Sequence, residues 1–246
     1  MKASNFEFRF RVWILAALYC LGFTAPWIAT RSRFGTSGST AWLALSSNLA
    51  RLNWLPLERA SLAVTWVAIV CAFAGAAIRV WGTAYLGSSI VQSGAMHAGK
   101  VMAAGPYRHV RNPLYIGSIL FALSVAILMP PSGAVVFILL TVIFYFRLIL
   151  GEEAFLANQL GASYLDYRQR VPRLLPSLLP RIPASPVRPQ ILQSFLSEIL
   201  PIGYALCLAV LAWRYEPGIL EQCLLVCFGL SLVAHALLPK APAPAK

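Results

Sequence analysis

The strongest constraint on this chain is the recurrence of apolar runs long enough to cross a bilayer, separated by short polar stretches. A spanning helix needs about 20 mainly apolar residues. Six segments approach that length: Val12–Ala29, Ala60–Ile78, Leu114–Met129, Ala134–Leu150, Ile199–Trp213 and Ile219–Leu238. Hydrophobic residues fill 59% of the 246 positions and charged residues only 11%, outside the range of soluble domains. The expected fold is therefore all-α, a polytopic membrane bundle of about six transmembrane helices. Pro130-Pro131-Ser132-Gly133 joins the third and fourth runs as a tight hairpin, and Arg214 to Gly218 joins the last two. Segment 40–57 carries Trp42 and Trp54 near its ends but is interrupted by Arg51 and Asn53. It suits an interfacial or re-entrant helix better than a full span. At the N-terminus, Lys2, Arg9 and Arg11 precede a run of spanning length with no small-x-small site behind it, which reads as a retained first helix.

The net charge of +12 is distributed between the apolar runs rather than along a stripe interleaved with exposed aromatics. Anionic headgroups, not nucleic acid, are the partner such a pattern suits. With the N-terminus inside, the inner loops collect Arg79, Lys100, Arg108, Arg111 and the six arginines from Arg147 to Arg188. The outer loops hold Arg31, Arg33, Arg51, Arg59 and Arg214. That balance places both termini in the cytoplasm. The short chain without eukaryotic sorting motifs points to a bacterial inner membrane. All five cysteines lie in apolar segments and read as small core-filling residues. Cys223 and Cys227 stand four apart, with only His235 near them in sequence, and no disulfide framework is indicated.

Against this bulk, residues 105–117 stand out: Gly-Pro-Tyr-Arg-His-Val-Arg-Asn-Pro-Leu-Tyr-Ile-Gly. Pro106 and Pro113 fix φ and remove two backbone donors, so the segment is not a regular helix. Non-helical backbone near membrane depth is tolerated where protein or a cavity satisfies it. At the end of the following apolar run stand Glu152 and Glu153, two of only eight acids in the chain. They are expected to lead a short amphipathic helix that stops at Gly161. Adjacent acids at a membrane surface are costly unless something positive meets them. Both motifs fall on one side of the membrane, which supports a single site. The plainer alternative makes Arg108 and Arg111 topology anchors, Tyr107 and Tyr115 belt residues, and the acids a complement to the helix dipole. Arg147 either snorkels to the interface or turns inward to an acid. No P-loop, no Ser-His-Asp pattern and no metal-ligand set around His97 and His109 accompanies these motifs. Residues 172–189 contain six prolines and read as an extended linker.

The loop motif, the Glu-Glu pair one helical hairpin later, and Tyr164-x-x-Tyr167-x-x-x-Val171-Pro172-Arg173 occur in order. Together they resemble the isoprenylcysteine carboxyl methyltransferase family, which shares its catalytic region with membrane phospholipid methyltransferases. Ile78-Arg79-Val80-Trp81 and Leu86-Gly87 resemble the family's lead-in. The resemblance covers roughly residues 75–180. It implies a helical membrane enzyme that uses S-adenosylmethionine and has no Rossmann domain. The family's cofactor pocket carries over onto Tyr107, Arg111, Asn112, Pro113, Tyr115, Glu152 and Glu153. Asn112 stands where many eukaryotic members have His, which bears on whether a prenylcysteine is the substrate.

On that resemblance the chain divides into N-terminal helices with an interfacial segment (1–74), a cofactor-binding catalytic region (75–180), and a proline-rich linker with a C-terminal helical hairpin (181–246). A lipophilic or prenylated acceptor, a carboxylate in the favoured case, receives the methyl group at the cytoplasmic face. Methyl transfer to a carboxylate needs positioning and exclusion of water more than acid–base work, so a missing triad or metal is no obstacle. Glu152 and Glu153 are expected on the cofactor's ribose or amino group, and Tyr107 or Tyr115 against the sulfonium. Arg173, and after it Arg168, are the arginines expected to meet an anionic acceptor. Two other readings remain open: a sterol-reductase-like, NADPH-dependent membrane oxidoreductase, and a non-catalytic membrane protein of the same fold.

Overall fold

The computed structural model describes residues 3–24, 39–92, 103–214 and 217–238. Its regular secondary structure is helical, with no strand among the described residues. Part of the first apolar run, the 93–102 stretch with His97, Arg31 and Arg33, and the C-terminal lysines lie outside them.

Among the described residues, two helices are long and apolar enough to cross a membrane: α4 (Leu57–Leu86) and α7 (Pro131–Leu160). A third candidate is the pair α9 (Ile191–Ser197) and α10 (Ile199–Arg214), bent by 66° at Glu198. The other expected runs form shorter apolar helices: α2 (Arg11–Thr24), α6 (Pro113–Ala126) and α11 (Pro217–Leu237), whose apolar stretch spans Gln222–Ala234. The count of six therefore is not reproduced by length. At 14 residues, α6 rises only about 21 Å, short of a hydrocarbon core of about 30 Å. Pro113 opens it and the Pro130–Pro131 corner closes it, so the hairpin expected there forms at the cost of helix length.

Segment 40–57 becomes α3 (Ala41–Arg51), capped by the Thr40 hydroxyl and far too short to span. Its first two backbone amides donate to Met129 and Ile127 at the end of α6, and Trp42 Nε1 donates to Thr65 of α4 at 2.8 Å. α1 (Asn5–Arg9) starts in a capping box between Ser4 and Glu7. Glu7 then pairs with Arg147 Nη2 at 2.8 Å, which settles Arg147 as turned toward an acid.

Around α4 the bundle is assembled through small residues. Gly75 and Gly117 face each other where α4 crosses α6: a Cβ on Gly117 would fall 2.7 Å from the Gly75 carbonyl and 2.6 Å from the Arg79 side chain. Close backbone approach of this kind is the main packing device where lipid removes the hydrophobic drive. The apolar core continues through Ala72, Ala122, Met129 and Phe137, and Tyr204 of α10 donates to the Ser124 carbonyl of α6. Cys207 of α10 lies against Cys223 and Cys227 of α11, a packing contact between the last two long helices.

Two expectations need correction. Glu152 and Glu153 do not lead a new helix; α7 runs unbroken from Pro131 through both acids to Leu160. Gly151 alone does not stop a helix flanked by good formers, and its missing side chain admits the backbone of Ala3. The stop comes at Gly161, as expected, with φ 56°. The second correction concerns residues 171–190. They form no helix, yet they are no free linker, because they run antiparallel along the 103–111 loop and hydrogen-bond to it.

Candidate active site

The loop is held open by its own chemistry. Gly105 adopts φ 52°, in the left-handed region, and an added Cβ would collide with the Tyr85 ring. Gly105–Arg108 then forms a single 3-10 turn with Pro106 near its start, and Pro113 begins α6 where its missing N–H costs nothing. The carbonyls and amides this irregular path leaves unpaired are met by the proline-rich segment. Arg111 N donates to Pro172 O at 2.9 Å, Ser177 N to His109 O at 3.0 Å, and Arg181 N to Arg108 O at 2.9 Å. α8 (Ala162–Arg170) adds Tyr167, whose hydroxyl donates to the Tyr107 carbonyl at 2.9 Å.

At the junction of loop, α7 and strap sits Glu153, only 3% exposed. Its carboxylate accepts from Asn112 Nδ2 at 3.2 Å and from Arg173 Nε and Nη2 at 3.1 and 2.9 Å. Arg111 Nη1 stands 3.2 Å away as a second cation. Asn112 spends its remaining proton on the Arg173 carbonyl. Glu153 is thus the hub that joins loop to strap. Arg173 is committed to it, and that hydrogen bond is the main reason its guanidinium is held above its ordinary pKa.

Glu152 faces the other way, into a cavity of about 740 Å³. Tyr115 donates to it at 2.9 Å, and Arg11 from α2 lies close enough to act on its charge. Tyr107 Oη and Arg111 Nε are buried with no hydrogen-bond partner, Arg111 Nη1 has only its ion pair to Glu153, and both residues line the same cavity. Burial pushes the Tyr107 hydroxyl well above its ordinary pKa, so it remains a neutral donor. All seven expected cofactor residues thereby line one cavity. Arg173 buttresses that wall from behind, while Arg168 is exposed on α8.

Other residues of the cavity escaped the sequence reading. Arg11 and Tyr19 come from α2, and Tyr164 of α8 adds a buried ring. At the deep end Arg79 Nε donates to Glu198 Oε2 at 2.6 Å and Nη2 to Oε1 at 3.0 Å. Thr83 donates to Oε1 at 2.9 Å, and Arg79 Nη1 donates to Ser118 at 2.6 Å. Arg79 belongs to the lead-in motif, so a signal existed for it. Glu198 had one in its rarity, as a lone acid beside an apolar run, but nothing told what it would meet 119 residues upstream.

Residues 63–163 match the phospholipid methyltransferase family, a segment that contains Arg79, the loop and both acids. No curated protein and no solved structure matches the chain significantly.

Proposed function

We propose, from the premise that residues 63–163 are a phospholipid methyltransferase domain, that this membrane protein methylates a lipid-like or isoprenylated carboxylate using S-adenosylmethionine. We place the reaction at the cytoplasmic face of a bacterial inner membrane, with both termini inside. The observation that carries the reading is the cavity wall at Tyr107, Arg111 and Glu152. It offers two buried donors with no hydrogen-bond partner, Tyr107 Oη and Arg111 Nε, on one side and a carboxylate on the other.

That donor set fits the cofactor. The orphaned atoms of Arg111 and Tyr107 suit an amino-acid carboxylate, because a buried donor left unmade costs about 1–3 kcal/mol. Glu152 suits a ribose diol or an ammonium, and the rings of Tyr107 and Tyr115 suit a sulfonium. When bound, S-adenosylmethionine supplies a methyl carbon that passes to a carboxylate oxygen while the C–S electron pair returns to sulfur, so no proton has to move. Glu153 does its part indirectly: it ties Arg111 to Arg173, offsets one of their two charges, and fixes the loop that carries Tyr107. Asn112 does the same from the loop side. Apolar residues from α2, α6 and α10 keep water from the rest of the cavity.

The test is methyl transfer itself. Protein reconstituted in vesicles with a bacterial lipid extract and methyl-labelled S-adenosylmethionine should place label in the organic phase. That label should be released as methanol by base, as a methyl ester is. Base-stable label would move the acceptor to a phospholipid amine, and no label would count against the reaction.

A further inference from the structure

The cofactor reading leaves the Arg79–Glu198 ion pair on the same cavity wall without a role, and its cost needs a reason. A charged pair inside a membrane bundle is expensive, and apolar substitutes pack as well or better. The protein nevertheless bends α9 against α10 by 66° at Glu198 and buries that carboxylate to 1% exposure. Arg79 keeps 23% of its side chain accessible, and both residues lie on the cavity wall.

Donor accounting shows which chemistry is left over. A guanidinium has five N–H groups. Nε and one proton of Nη2 go to Glu198, and one proton of Nη1 goes to Ser118. Two protons of a permanent cation remain. Glu198, by contrast, takes Arg79 on both oxygens and Thr83 on one of them. The spare capacity is thus of donor type and suits an oxyanion. Among the described residues, no unoccupied carboxylate adjoins Arg79 to hold an ammonium or take its proton. Ser118 follows Tyr115 by three residues on α6, about 4.5 Å deeper along the helix than the acid end. The cavity lining includes the apolar Leu15, Phe121, Leu200 and Pro201, with the phenols of Tyr19 and Tyr145 close enough to act on Arg79.

We infer that Arg79 binds the carboxylate head of the methyl acceptor, an amphiphile whose chain lies among α2, α6 and α10. Glu198 is the positioning residue that aims the guanidinium. The inference rests on the methyltransferase reading and deepens it. It makes the C-terminal helices, which lie outside the matched segment, part of the acceptor site.

The full chain in phosphatidylcholine nanodiscs provides the test, with tritiated tetradecanoate and tetradecylamine as probes and S-adenosylmethionine binding measured in parallel. Wild type should bind the carboxylate at least about tenfold more tightly than the amine. Arg79→Gln should weaken tetradecanoate by roughly tenfold while S-adenosylmethionine affinity stays within about twofold. Because that variant leaves Glu198 without its counter-charge, a second one carries the argument. The double variant Arg79→Gln/Glu198→Gln should recover the melting temperature but not tetradecanoate binding. Glu198→Asp, which keeps the charge but draws the guanidinium back by one methylene, should weaken tetradecanoate by less than Arg79→Gln does. A double variant that binds tetradecanoate like wild type, or a wild type that prefers the amine, overturns the assignment and leaves the pair as a structural tie. Failure of wild type to bind S-adenosylmethionine overturns the methyltransferase reading instead.

Discussion

Glu152 and Glu153 are neighbours in sequence with opposite surroundings, and the helix explains why. Successive residues on an α-helix point about 100° apart, so one acid meets the loop and strap while the other meets the cavity. The sequence presents the two acids as one pair, and the fold gives them different hydrogen-bond partners. A third acid behaves differently again. Glu7 is held down to about 2, chiefly by its hydrogen bond from Arg147 and then by the Ser4 amide. A carboxylate with a depressed folded-state pKa adds stability above its ordinary 4.5 and loses it as pH falls toward 2. Wild type should therefore lose more melting temperature across that window than Glu7→Gln, whose side chain does not titrate. Equal losses would mean that the pair contributes nothing in solution. The loop and the acids were legible because such residues are out of place in an apolar chain. The Arg79–Glu198 pair was not, because its partners are joined only by the packing of α4 against α9 and α10.

At the level of elements, α4 against α6 sets the register of the deep site. Gly117 places Arg79 beside Ser118 and has no room for a side chain. Gly117→Val should destabilise the fold by about 1–3 kcal/mol through overpacking, seen as an earlier midpoint in detergent unfolding. An unchanged midpoint would show that the helices part without cost. The proline-rich strap makes a second prediction. Its amides at Ser177, Arg181 and Ser185 donate to backbone carbonyls of the 103–109 loop, so they should exchange hydrogen slowly. Exchange as fast as in an unstructured peptide would return this segment to the role of linker. Composition alone reads six prolines as extension, and extension is what forms. What composition does not carry is the antiparallel partner, which exists only because the loop exposes its carbonyls.

On the scale of the whole molecule, the cavity draws on all three stretches into which the sequence divides: Phe8 and Arg11 from the first, the loop and acids from the second, Glu198 and Pro201 from the third. Periodicity and apolar length identify membrane helices reliably but not how many cross. α3 and α6 end where proline corners and turns end them, and a helix bent at Glu198 is one run in sequence and two in space. The central claim is that this shared cavity holds S-adenosylmethionine, and calorimetry on the detergent-purified protein tests it most directly. The account predicts saturable S-adenosylmethionine binding, weakened roughly tenfold by Glu153→Gln because the loop loses its ionic hub, and no binding of NADPH titrated in parallel. Binding of NADPH without S-adenosylmethionine would contradict it.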